Sequence, residues 1–267
     1  MASSTVFEYF PGNEGGTYNA ATGTAYFVSK FSPQYELLWT SYYGGNGFYQ
    51  EPWAMAVKNT TAGPEIYVVG QTSNDDQYTT APPGAYYDSI PALTAQGCIA
   101  KYNETGELTW ATYFGNGQAT INGAAIDANN NLVITGTSNG GLPVPDVQPV
   151  GSTYLPHGVA SDAFVAQFDE DDGLRWSTYL PGSSLDYGKS IQVLEGGLVV
   201  CGNTTSPDFP TVFYGGSAYF RDTLQGVETF VAIFNGADSL VSSTFFGGSG
   251  DDATGFGRSA LEVVMTV

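Results

Sequence analysis

Three tryptophans, Trp39, Trp110 and Trp176, each open a segment of the same form: WTSYYGG, WATYFGN and WSTYLPG. A fourth copy, SSTFFGG, begins at Ser242 without the tryptophan. The spacings of 71, 66 and 66 residues describe a repeated unit of steady length with one modest insertion. A second matched run precedes each copy (YFVSKF, CIAKY, AFVAQF, TFVAIF) and a third follows it (WAMAV, GAAID, SIQV and the terminal SALEVV). A fourth run comes next in three of the units: EIYVVGQT, NLVITGT and GLVVCGNT. All are short, apolar or alternating, end at Gly, Asp, Pro or Ser, and lack the 3.6-residue spacing of an amphipathic helix. A period of this size built from four strands points to propeller blades. The expected fold is therefore all-β, a β-propeller of four blades with four antiparallel strands each.

With strands labelled A to D from the axis outward, blade one takes Trp53–Val57, Ile66–Gln71, Cys98–Tyr102 and Leu108–Phe114. Blade two takes Gly123–Asp127, Leu132–Thr137, Ala163–Phe168 and Leu174–Tyr179, and blade three Ser190–Val193, Leu198–Thr204, Thr229–Phe234 and Leu240–Phe246. The repeats thus cover about 53–114, 121–179 and 188–246 of a single domain spanning 1–267. What remains is a lone A strand at the C-terminus, C and D strands at Tyr26–Phe31 and Leu37–Tyr43, and TVFEYF at Thr5–Phe10 as the missing B strand. The two ends, 255–267 and 4–43, are expected to complete one mixed blade and close the ring, leaving no open inner edge.

The stretch DAFVAQFD…GLRWSTYL…DYGKSIQV…GLVVCGNTTSPDFPT resembles the bacterial SBBP-type β-propeller repeat. The likeness is strongest over 162–212, recognisable over 97–140 and 229–257, and weaker over 25–80. The family name suggests seven blades where the spacing here gives four, so the chain reads either as a small complete propeller or as part of a larger array. The resemblance implies a secreted or surface-displayed module and supplies no catalytic motif.

Charge narrows the partners. Seven basic residues against 26 acidic ones give a net charge of −19. Nucleic acid, which is bound by neutralising phosphates, is excluded as an expected partner, and anionic membranes would repel the chain. No apolar run approaches the ~18 residues of a membrane-spanning helix. The start, MASSTVFEYF, has neither the basic nor the apolar region of a secretory signal. The expected location is extracellular or cell-surface. Cys98 and Cys201 fall on blades facing each other across a four-bladed ring, too far apart for a disulfide, and are expected to be free buried thiols.

The repeated Trp-x-Thr/Ser-Tyr segment alternates with period two in every unit, which assigns it to packing between blades. The B–C connections, about Ser73–Gln96, Ser138–Ser161 and Ser206–Glu228, exceed the usual loop length, and such loops are commonly functional. They are expected to gather on one face and to offer Tyr78, Tyr86, Tyr87, Tyr154, His157, Phe209, Phe213, Tyr214, Tyr219 and Phe220 as partner-binding residues, or to tuck those aromatics over the blade ends. Asp169, Glu170, Asp171 and Asp172 before Gly173 could supply oxygen ligands to calcium, or simply make a turn; no other cofactor is expected. His157 is the only histidine, and no nucleophile–base set or zinc site forms around it.

These readings favour a non-enzymatic extracellular or cell-surface module, binding a protein or glycan, or its own copies, through the loops of one face. The alternative is a carbohydrate-binding or carbohydrate-active protein using aromatics and carboxylates on that face, and the two differ in whether paired carboxylates line an aromatic cleft.

Overall fold

The structure is a computed structural model that describes residues 25–45, 49–73, 75–91, 95–116, 118–143 and 148–252. The strands expected at Thr5–Phe10 and 259–264, and with them the closure of the ring, lie outside the described residues. Every described element is a strand or turn. Strands β1 (Ala25–Phe31) and β2 (Leu37–Gly44) pair alone. Three four-stranded antiparallel meanders follow in a propeller-like arrangement. The first contains β3 (Gln50–Thr60), β4 (Gly63–Thr72), β5 (Gln96–Tyr102) and β6 (Leu108–Phe114). The second contains β7 (Ala119–Ile126), β8 (Leu132–Ser138), β9 (Asp162–Phe168) and β10 (Leu174–Leu180). The third contains β11 (Asp186–Leu194), β12 (Gly197–Thr204), β13 (Glu228–Asn235) and β14 (Leu240–Phe246). The Gly/Asp/Pro punctuation and the recurring apolar runs thus mark real strands.

The copies agree in detail. Each sheet's first strand shifts register at the matching place, between Pro52 and Ala54, Ile121 and Gly123, and Gly188 and Ser190. This bulge brings a backbone carbonyl against the second strand, opposite Gly70, Gly136 and Gly202. A Cβ there would stand 1.9 Å from the oxygen of Glu51, Thr120 or Tyr187 respectively, so only glycine fits. That contact explains the Gly in VVGQT, VITGT and VVCGNT.

Three apolar clusters form the core, and each is a joint between neighbouring sheets. Trp39 and Tyr43 of β2 meet Ile66, Val68 and Tyr102 of the first meander. Trp110 and Phe114 meet Phe164 and Phe168, while Trp176 and Leu180 meet Phe230 and Phe234. The rings contact edge-on, with 5.5 Å between the centroids of Trp110 and Phe168 and 5.3 Å between those of Trp176 and Phe234. The repeated tryptophan is joint packing.

Each joint also carries a cation reaching the β-turn between the last two strands of the next sheet: Lys30 to Glu104, Lys101 to Asp172, and Arg175 to Asp238. The middle pair is buried on both sides, and Tyr67 Oη donates to Asp172 at 2.8 Å. Asp169 Oδ1 accepts the amides of Asp171 and Gly173, as Ser32, Asn103 and Asn235 accept theirs in the matching turns. The acidic run at 169–172 therefore has turn and joint duties for two of its four carboxylates. Cys98 and Cys201 are free and buried, and burial pushes both thiols up to about 12.

Candidate functional site: the loops along the outer rim

The fourth strand of each blade would expose a row of unpaired amides and carbonyls on its outer edge. The long loops cover that edge. Thr80 exchanges both backbone hydrogen bonds with Ala111 of β6, and Val212 does the same with Ser243 of β14. Farther along, Trp110 Nε1 donates to Tyr86 O at 2.7 Å, and Trp176 Nε1 to Thr153 O at 3.0 Å. Tyr86 N and Thr153 N in turn donate, both at 2.9 Å, to the carbonyls of Asp172 and Asp238 in the next sheet's turn. The loops then climb back, where the amides of Asp88, Leu155 and Arg221 donate, each at 2.8 Å, to Oγ1 of Thr112, Thr178 and Thr244.

This course corrects the expectation of a single loop-bearing face. The loops leave from one end of the sheets, run down the outer rim to the opposite end and return. The cause is the hydrogen-bonding demand of the outer strand, which strand alternation alone does not reveal.

The aromatics divide accordingly. Tyr78, Tyr87, Tyr154, Phe213, Tyr214 and Tyr219 are exposed, by 48% to 70%. Phe209 is a correction: it is buried in the third meander's joint, its ring 4.5 Å from that of Phe230, and offers nothing to a partner. Tyr86 is half-buried between Phe114 and Phe168 and serves the core. Phe220 is half-buried against Phe213. His157 is half-buried, with its ring edge-on to Tyr179 and its Nε2 3.5 Å from Asp162. The rim thus gathers Phe213, Tyr214, Tyr219 and the exposed Phe246, with Tyr219 and Phe246 rings 5.7 Å apart, and leaves Tyr78, Tyr87 and Tyr154 on the other loops.

The opposite end of the joint between the second and third meanders holds a carboxylate group that the loop reading passed over. Asp162 is fully buried and accepts the amides of Gly158 at 2.6 Å and Gly182 at 3.2 Å. Asp186, also fully buried, accepts Ser206 Oγ at 2.9 Å, and its own amide donates to Ser161 O. Burial, more than the neighbouring acids Asp162 and Asp208, raises Asp186 to about 7. Burial likewise raises Asp162, against the pull of two amides and His157. Asp186 opens β11 within SLDYG, and its burial depends on packing against the second meander, where Ser161 O takes its amide. Among the described residues, no group of three or more His, Cys, Asp or Glu side chains is placed to hold a metal ion.

The chain matches no family model, and no curated protein matches it.

Proposed function

We propose that the chain is a non-enzymatic interaction module of the cell surface or an extracellular assembly, making contact through the exposed aromatics of its rim. The observation that carries this reading is a fastened scaffold with a free outer side. The loops are pinned by backbone pairs and tryptophan donors, while Tyr78, Tyr87 and Tyr154 point outward away from the groove on the third meander. Rigid tyrosines lose little entropy on contact and offer both an apolar face and a hydroxyl. The net charge of −19 favours basic partner surfaces. The test is a surface-binding screen of basic proteins and of glycans. Replacing Tyr78, Tyr87 and Tyr154 together by Ser should weaken any captured partner at least ~10-fold at an unchanged melting temperature, since hot-spot tyrosines each carry more than ~1 kcal/mol. Capture indifferent to the triple substitution, or a blank screen, would remove the reading.

The architecture that goes with it is a four-bladed propeller, the β1–β2 pair being the outer half of the fourth blade. Register supports the count. Phe31 of β1, paired with Leu37, takes the third-strand position that Phe168 and Phe234 hold in their sheets, and those two are fully buried in their joints. Phe31 is instead 57% exposed, and the surface matching its expected seat is a groove of about 610 Å³ on the third meander. Ser242 lines that groove where the other blades place tryptophan, beside Val231, Ile233 and Phe246. An apolar face and an apolar groove, each lacking the cover its copies have, fit one another.

A further inference from the structure

The bulge in each inner strand extrudes one residue: Trp53, Asn122 and Lys189. These three unlike side chains, drawn from three meanders, line one recess of about 320 Å³ with Gln71, Thr137 and Tyr187. No acid lines it. That is unusual in a chain with 26 acidic residues, and Lys189 is more unusual still. Among the described residues the other cations, Lys30, Lys58, Lys101, Arg175 and Arg221, are all ion-paired. Lys189 has no acid partner among them; its ammonium lies 5.2 Å from the ring centre of Tyr187.

We propose that this recess is a binding site for a carboxylated sugar, with Lys189 meeting the carboxylate, Asn122, Gln71 and Thr137 meeting hydroxyls, and Trp53 offering its ring to the sugar face. The inference goes beyond the rim reading, since it uses a different surface and a different ligand class.

The chemistry of the lining selects that class. A half-buried ammonium away from any carboxylate is incompletely compensated, and burial lowers the Lys189 pKa accordingly. An anion supplies the missing charge. The Thr137 hydroxyl is buried with no hydrogen-bond partner among the described residues, an unfavourable state that a ligand hydroxyl relieves. The Asn122 amide nitrogen is anchored to Gly188 O at 2.7 Å, which leaves its oxygen to accept. Thr120 Oγ1 holds the Gln71 oxygen at 2.5 Å, which leaves the Gln71 amide to donate. Donors and acceptors alternating around one cation beside an indole suit a polyhydroxylated ring bearing one negative charge. The volume lies at the lower end of small-molecule pockets, which begin near ~300 Å³, and limits the occupant to about one sugar unit.

The experiment is a calorimetric titration of the whole chain with sodium glucuronate, alongside glucose and sodium acetate. Saturable glucuronate binding is expected, weakened at least ~10-fold in Lys189→Gln, which loses a charge-assisted hydrogen bond, and restored in large part in Lys189→Arg, which keeps one. Glucose should bind more weakly and be indifferent to Lys189→Gln. Glucuronate that fails to saturate, or binding that survives Lys189→Gln, would overturn the site. Acetate binding as tightly as glucuronate would overturn the sugar and leave a bare carboxylate subsite. Should Lys189→Gln fail to fold, magnetisation transfer between glucuronate protons and the Trp53 indole in the unaltered chain decides the same question: transfer supports the recess, and its absence rejects it.

Discussion

Replacing Lys101 by Met should destabilise the protein by about 3–5 kcal/mol in urea denaturation at pH 7, because it strands a buried carboxylate. Asp172 is 1% exposed and its two partners are the Lys101 ammonium and Tyr67 Oη. Burial raises the Asp172 pKa, and Lys101 is the largest influence opposing that rise. Glu65, 3.8 Å from Lys101 and 3.5 Å from Lys58, completes a group of two lysines and two acids across the joint. Lys58 also donates to Glu170 O at 2.6 Å, so it is already engaged and cannot replace Lys101. The double variant Lys101→Met/Asp172→Leu should lose much less than Lys101→Met alone, because removing both charges removes the desolvation cost together with the attraction. A loss below about 1 kcal/mol in the single variant would mean that Asp172 is solvated or held by other groups. The exposed counterpart, Lys30 with Glu104, should matter far less.

The second large effect is in pH. Asp186 sits at about 7 in the folded chain against an ordinary carboxylate value of 3.8. The folded state therefore holds its proton across a range where the unfolded chain has released it. Stability from this group is full below pH ~4, declines as pH rises, and is lost once pH passes about 7. At about 1.36 kcal/mol per unit, the decline amounts to roughly 4 kcal/mol. Asp162, Asp172 and Asp238 are shifted in the same direction by burial and add to the trend. Asp186→Asn keeps an acceptor for Ser206 and carries no charge. It should match the parent near pH 4 and exceed it by a few kcal/mol at pH 8. Parallel curves for the two proteins between pH 4 and 8 would show that Asp186 ionises freely.

Much of this molecule is legible in its residues, and the boundary of legibility is physical. Strands such as AFVAQF and GLVVCGNT announce themselves by length, apolarity and punctuation, which are local properties. The tryptophan's role follows from its recurrence. The path of the long loops is not local: Thr80 and Val212 pair with outer strands because those strands have open edges, and nothing in YTT or PTV says so. Phe209 looked like Phe213, four residues on, yet one fills a joint and the other is exposed. Lys101 and Asp172 are 71 residues apart, and their pairing depends on how two blades abut. The bulges that bring Trp53, Asn122 and Lys189 into one recess leave a trace only in hindsight, in the glycine that each one demands on the adjoining strand.

The proposed architecture is a ring of repeated blades, with β1 and β2 completing a fourth blade on the open groove of the third meander. The direct test uses Phe31→Cys with Ser242→Cys, in a chain whose Cys98 and Cys201 are replaced by Ala, treated with a short thiol-specific bifunctional reagent. The positions match Phe168 and Trp110, whose rings are 5.5 Å apart in the joint between the first and second meanders. A ring of four blades predicts rapid bridging within one molecule, at a yield independent of protein concentration, and a monomer of 28.2 kDa by light scattering. Bridges that form only between molecules, rising with concentration, or that do not form at all, would contradict it.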